Sequence, residues 1–263
     1  MNQSLLLGQL GTPMGRTLYR STAIIYGFGG IGKQLLQRLR AFDMEIIVVS
    51  RSLPTEAHAK AEAREDLLGS SSTGRSTVTY ITTAEWERRS YSAPIERADL
   101  LFMCCSQNAD NLNLVNKDFL SRLKNGVFIV NVARGGLLNY EDVYEGLCDG
   151  SVGGVGMDVY HTEPFPYKTR YNNCDSFRAE ISCNYGGNVN NKNSENMENM
   201  EKMGKSENIE KNENAILLHP SVVVTPHVAG VTEVSYRNMA EKVADNVERI
   251  MNGQVPSGCV NLI

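Results

Sequence analysis

Short runs of β-branched and apolar residues recur along the chain and set its rhythm. They are Thr22–Tyr26, Glu45–Val49, Ser76–Ile81, Asp99–Met103, Val127–Val132, Val152–Val159 and Val222–Thr225. Most are continuously apolar rather than alternating, the pattern of parallel strands covered on both faces. Amphipathic stretches separate several of them. Lys33 to Phe42 is one, and Asn139 to Leu147 is another, opening on a capping-type Asn followed by Glu141 and Asp142. A last helix, about Thr232 to Asn252, puts Met239, Val243, Val247 and Ile250 on one stripe and stops at Gly253. Strand and helix in alternation predict an α/β fold, a doubly wound parallel sheet of the Rossmann type.

Two segments depart from that rhythm. Between Asn184 and Asn214 there are ten Asn, six Glu and four Lys with almost no branched aliphatics. Such a stretch buries too little surface to offset its ordering entropy, so residues 168–214 read as a disordered Asn/Glu/Lys-rich insertion. Three methionines at spacing three, Met197, Met200 and Met203, leave a weak helical stripe as the alternative. Gly69 to Arg75, rich in Ser and Gly, reads as a smaller exposed loop. The rest of residues 1–263 is expected to form a single dinucleotide-binding domain.

Composition narrows the function classes. The 26 basic and 30 acidic side chains leave a net charge of −4 with no basic face, which argues against nucleic acid as a partner. No run approaches the roughly 18 apolar residues of a membrane span. The opening Met-Asn-Gln-Ser-Leu-Leu-Leu-Gly lacks the basic n-region of a secretory signal, so the chain is expected in the cytoplasm. The six cysteines show no CxxC spacing and are read as reduced thiols, and no histidine sits at ligand spacing from a cysteine pair, so no metal site is expected.

The chemistry begins after the first strand. Gly27-Phe28-Gly29-Gly30-Ile31-Gly32 is a G-x-G-x-x-G that follows an apolar strand and opens a helix. In that context Gly27 permits the tight turn, Gly29 lets backbone approach a pyrophosphate, and Gly32 allows close helix–strand packing. A plain glycine-rich turn is the alternative. The second strand ends at Ser50-Arg51-Ser52, and Ser50 lies 18 residues beyond Gly32, where an NAD-specific site carries Asp or Glu. Ser50 does not repel a 2′-phosphate and Arg51 can pair with one, so NADP(H) is favoured over NAD(H). An ordinary solvated charge at a strand end is the other reading of Arg51.

Three later strands each run into a polar residue just past the carboxyl end: Arg134, Glu163 and His227. That is the edge where open α/β sheets bind ligands. An Arg for a substrate carboxylate, a His to exchange a proton with a carbonyl or hydroxyl, and a Glu to hold the imidazole form a coherent set for reducing a small 2-oxo acid.

At these residues the chain resembles the D-isomer-specific 2-hydroxyacid dehydrogenases. The resemblance is carried by Asn131-Val132-Ala133-Arg134-Gly135-Gly136-Leu137-Leu138, by Gly156-Met157-Asp158-Val159 with Glu163-Pro164, by Thr225-Pro226-His227 and by the glycine loop. Val228 to Glu233 and the Ser50-Arg51 pair look most like the NADPH-dependent glyoxylate and hydroxypyruvate reductases of plant type. The resemblance implies Arg134 as the carboxylate-binding residue and His227 as acid/base paired with Glu163. It also implies Asp158 holding the nicotinamide carboxamide, Gly30 and Ile31 over the pyrophosphate, Val132 and Ala133 beside the nicotinamide ribose, and Ala229 and Gly230 near the ring. His161 and His219 match no role and are expected to be structural or exposed.

Departures from the family pattern are equally specific. Ser106 and Asn111 stand where the family usually has Pro and Thr. The family's N-terminal substrate domain is expected to be missing, which would leave the apolar stripe of the last helix partly exposed. The chain then admits two readings: a reductase of a small 2-oxo acid, with a homodimer as the expected assembly, or a catalytically idle NADP(H)-binding module lacking its substrate domain. An NAD-linked phosphoglycerate-type dehydrogenase is disfavoured by Ser50.

Overall fold

The computed structural model describes residues 15–52, 76–90, 94–163 and 215–258. The Asn-rich segment, the Gly69–Arg75 loop, His58, Cys174, Cys183 and Cys259 lie outside the described residues, as does the start of the chain. Seven strands are found: β1 (Thr22–Tyr26), β2 (Glu45–Ser50), β3 (Thr77–Thr82), β4 (Leu100–Met103), β5 (Val127–Asn131), β6 (Val152–Met157) and β7 (Val222–Val224). They form one sheet in the order β3-β2-β1-β4-β5-β6-β7, every neighbouring pair parallel. The order reverses between β1 and β4, the switch point that opens a crevice at the carboxyl ends of a doubly wound sheet.

Continuous apolar strands arise because alternate residues serve two cores. Ile24 and Tyr26 of β1, with Ile47 and Val49 of β2, pack into a cluster with Trp86, Phe119, Val143 and Leu147. Ala23, Ile25, Ile46 and Val48 face the other way, onto Leu36 and Leu39. The helices are α1 (Gly30–Arg40), α2 (Thr83–Arg88), α3 (Lys117–Leu120), α4 (Tyr140–Asp149) and α5 (Glu233–Met251). Helix α1 starts three residues before the expected Lys33, because Gly30, Ile31 and Gly32 already wind into its first turn; the Lys33 amide donates to the Gly29 carbonyl. Helix α4 opens as its sequence predicts, with the Asn139 side chain accepting from the amides of Glu141 and Asp142, and closes at Gly150 with φ +83°.

The short α2 goes unforeseen in the strand–helix rhythm, although Thr82 and Glu85 carry its signal. The Thr82 hydroxyl accepts from the Glu85 amide while the Glu85 carboxylate accepts from the Thr82 amide, a reciprocal capping box. That single turn and a half seats Trp86, 1% exposed, against Phe119 and Tyr26.

Burial fails at the far end of the sheet. The apolar run of β7 predicts cover on both faces, yet Val223 is 71% exposed. Helix α5 buries no residue, and Met239, Val243, Val247 and Ile250 are each more than half exposed, so its apolar stripe stands open as expected. Stability is therefore unevenly distributed. Ile24→Ala removes a fully buried side chain and should lower the unfolding free energy by about 2–5 kcal/mol. Val243→Ala on the open stripe should stay within about 0.5 kcal/mol. Urea unfolding of the two variants checks the contrast, and comparable losses at both positions would contradict it.

Candidate active site

The candidate cofactor and catalytic residues sit on one rim, because each lies at or just past the carboxyl end of a parallel strand. The glycine loop follows β1, Ser50 to Ser52 close β2, Val132 to Arg134 follow β5, Asp158 to Glu163 follow β6, and the 225–230 turn follows β7. The glycine loop owes its form to crowding at two points and openness at two others. Gly27 has φ +109°, and a Cβ there would lie 2.4 Å from the Cys105 amide nitrogen. A Cβ on Gly32 would lie 2.2 Å from the Gly27 carbonyl oxygen. Gly29 and Gly30 meet nothing within 4 Å. The N-terminus of α1 has no side-chain cap and no acidic residue in its first turn. Free amides at a positive helix end beside open space fit an anionic pyrophosphate.

At the end of β2 the Ser50 hydroxyl, nearly buried, donates to the Ser52 carbonyl, and Arg51 is exposed. After β4, the loop holding the unusual Ser106 and Asn111 is closed by its own amides. Asn108 accepts from the Asp110 and Asn111 amides, and the Asn111 side chain donates to the Ser106 carbonyl. At the start of that loop, burial pushes the Cys104 thiol up to about 12, so it is no nucleophile at neutral pH.

Arg134 leaves β5 through a clamp made by Asn131. This fully buried side chain accepts from the Ala133 amide at 3.1 Å and donates to the Arg134 carbonyl at 2.9 Å. The exposed Arg134 guanidinium donates to the Ala133 carbonyl and lines a cleft of about 320 Å³ with Gln107, Leu112, Tyr160 and Glu163.

Glu163 and His227, 64 residues apart, meet directly: His227 Nδ1 lies 2.7 Å from Glu163 Oε2. The other carboxylate oxygen accepts from the Tyr160 amide at 2.9 Å. Burial works against the Glu163 charge, but the Tyr160 amide, the His227 ring and the Arg134 guanidinium outweigh it and hold its carboxyl below the usual range. An ionised carboxylate only accepts, so Nδ1 carries the hydrogen and Nε2 is left for exchange with another molecule.

The turn bearing His227 is held from beneath by Asp158. One carboxylate oxygen accepts from the Thr225 hydroxyl at 2.5 Å and the Val228 amide at 2.9 Å, and the other accepts from the Ala229 amide at 2.9 Å. Burial disfavours the charge of Asp158, which is 5% exposed, yet these three donors and nearby His227 hold its carboxyl below the usual range. The resemblance implies Asp158 for the nicotinamide carboxamide alone, and the structure adds the bracing of the turn that carries His227. His227 takes φ +54°, a left-handed conformation that a non-glycine residue keeps only when its surroundings impose it.

Three contributors escape the sequence reading: Asn131, Thr225 and Tyr160. The first two lie inside the quoted motifs, so their signal is position next to a functional residue. Tyr160 has none. His161 lines the cleft, but its Nε2–H donates to the Leu138 carbonyl and burial draws its pKa down. His219 is buried and its Nδ1 accepts from the Ser221 amide. Among the described residues no cluster of His, Cys, Asp or Glu has the make-up of a metal site, and no helix is long and apolar enough to cross a membrane.

Comparison with known proteins places the family and the fold. Residues 2–73 and 67–179 match the model of the D-isomer specific 2-hydroxyacid dehydrogenase NAD binding domain. D-3-phosphoglycerate dehydrogenase of Bacillus subtilis is 26% identical over 95% of this chain and 34% of its own length. Glyoxylate reductase of Thermococcus kodakarensis is 26% identical over 94% of this chain and 54% of its own. The chain thus spans between a third and about half the length of these relatives. In fold it is similar to D-lactate dehydrogenase with NAD+ from Lactobacillus jensenii, with a TM-score of 0.65 at 18% identity over 99% of this chain and 62% of that one.

The Asp158 ties yield a pH-dependent prediction. A depressed folded-state pKa contributes stability that is present above the unfolded value, about 3.9, and is lost as the pH falls through the folded one. Asp158→Asn should cost about 1–3 kcal/mol at pH 7, with the gap to wild type closing below about pH 4. Denaturant unfolding at a series of pH values checks it; a gap that does not change with pH would contradict it.

Proposed function

The chain belongs to the D-isomer specific 2-hydroxyacid dehydrogenase family, and from that premise we propose that it binds NADP(H) in preference to NAD(H) and serves the reduction of a small 2-oxo acid, glyoxylate or hydroxypyruvate. The observation that carries this reading is the His227–Glu163 pair, 2.7 Å apart, on the rim that also holds Arg134 and the glycine loop. Support for the substrate class comes from the glyoxylate reductases among the relatives, including that of Thermococcus kodakarensis. Support for NADP(H) comes from Ser50 and Arg51 at the end of β2, where Ser50 stands in place of the Asp or Glu that would repel a 2′-phosphate.

When bound, the dinucleotide supplies the hydride, and the chain's own residues do the remaining work. The amides of Gly30 and Ile31 at the start of α1 would hold the pyrophosphate. Ser50, Arg51 and Ser52 would hold the adenosine ribose phosphate, and Val132, Ala133, Asp158, Ala229 and Gly230 would hold the nicotinamide end. Arg134 binds the substrate carboxylate by paired charge-assisted hydrogen bonds and polarises the carbonyl. His227 gives a proton from Nε2 to the developing alkoxide, and Glu163, kept ionised, stabilises the ring while it is charged.

The chain aligns with about half the length of the Thermococcus kodakarensis glyoxylate reductase. That favours a second reading for the chain alone, an idle NADP(H)-binding module, which the same experiment separates. Fluorescence-quenching titration should give at least tenfold tighter binding of NADPH than NADH, about 1.4 kcal/mol, with Arg51→Asp abolishing the preference. Glyoxylate-dependent NADPH oxidation should fall about 100-fold or more in His227→Ala. Tight NADPH binding without turnover supports the idle module, and failure to bind either dinucleotide contradicts both readings.

A further inference from the structure

The segment that carries His227 is held by very little apolar burial. Val224 is 43% exposed, Val228 44%, and α5, which follows in the chain, contributes no buried residue. Its position therefore rests on polar ties, and each can be assigned. The Thr225 amide donates to the Met157 carbonyl, and the Val228 and Ala229 amides go to Asp158. The Thr225 carbonyl accepts the His227 amide at 2.9 Å, closing the small turn over Pro226. That same carbonyl accepts a second donor, the Tyr160 hydroxyl, at 2.7 Å.

Tyr160 thereby touches every segment of the triad. Its amide donates to Glu163 Oε1, and its hydroxyl reaches the carbonyl around which the His227 turn folds. Its own backbone lies against the residue after Arg134 so closely that a Cβ on Gly135 would fall 2.0 Å from the Tyr160 carbonyl carbon. We propose that Tyr160 is a positioning residue: its hydroxyl fixes the His227 turn while its backbone amide holds Glu163, so the imidazole and its carboxylate partner are set by one residue. This rests on the functional reading above for its kinetic consequence, but the geometric claim stands apart from turnover.

Tyr160→Phe tests it, since it removes one hydroxyl and keeps the ring and the amide to Glu163. One hydrogen bond corresponds to roughly a threefold to tenfold effect. In the full chain labelled with 15N-histidine, the downfield Nδ1 proton of His227, identified by its loss in His227→Gln and Glu163→Gln, should exchange with water faster by about that factor in Tyr160→Phe. With NADPH and glyoxylate, kcat should fall by a similar factor while the NADPH dissociation constant stays unchanged. Adding Tyr160→Phe to Glu163→Gln should slow the enzyme no further, because both act through one pair. Unchanged proton exchange, a loss confined to KM, or additive losses in the double variant would overturn the inference. Absence of the downfield proton in the unmodified chain would overturn it as well. Faster exchange in a chain that reduces no 2-oxo acid would uphold the positioning role and defeat the functional reading instead.

Discussion

The tie between Asp158 and the 225–229 turn is the interaction on which the site depends. A parallel sheet normally secures its last strand by burying both faces, and here β7 has neither a second neighbour nor a covering helix among the described residues. The carboxylate substitutes for that burial by taking a hydroxyl and two amides from the strand's exit. Hydrogen bonds to a buried charge are stronger than neutral ones and directional, so they fix orientation as well as position. With that turn placed, His227 is forced into its left-handed conformation and its ring arrives beside Glu163.

The other half of the site comes from ordinary core packing. Strands β1 and β2 give alternate residues to two apolar clusters, leaving no polar position between their ends, so chemistry is confined to the loops beyond their carboxyl ends. Gly27 and Gly32 let strand, loop and helix approach each other closely enough to turn the first amides of α1 toward the rim. The result is a division of the rim: a buried platform at the glycine loop, and a polar, lightly buried arm that carries His227. Such an arm is the element drawn from the low-stability end of a structure.

Much of this is legible in the sequence, and the boundary has physical causes. Continuous apolar runs declare the covered strands, and all seven appear within a residue or two of expectation. The glycine loop and the three polar strand exits are legible because their chemistry demands particular residue types at particular places. Strand β7 misleads: Val222-Val223-Val224 reads as a core strand, but among the described residues Val223 and Val224 stay exposed and α5 buries no residue. Tyr160 is invisible for a different reason. Its partners lie 3 and 65 residues away, and the bonds use its own amide at one end and a backbone carbonyl at the other, so no motif marks them. Asp158 is legible as a functional residue but not as a brace, since its donors are again mostly amides.

The most direct test of the central claim is a crystal structure of the chain with NADPH bound. The pyrophosphate is expected on the amides of Gly30 and Ile31, and the nicotinamide end beside Ala133 and the 225–230 turn. Asp158 is expected still to hold Val228 and Ala229, with His227 still paired with Glu163. A dinucleotide seated away from the glycine loop, or a 225–230 turn released from Asp158 with His227 apart from Glu163, would contradict that claim.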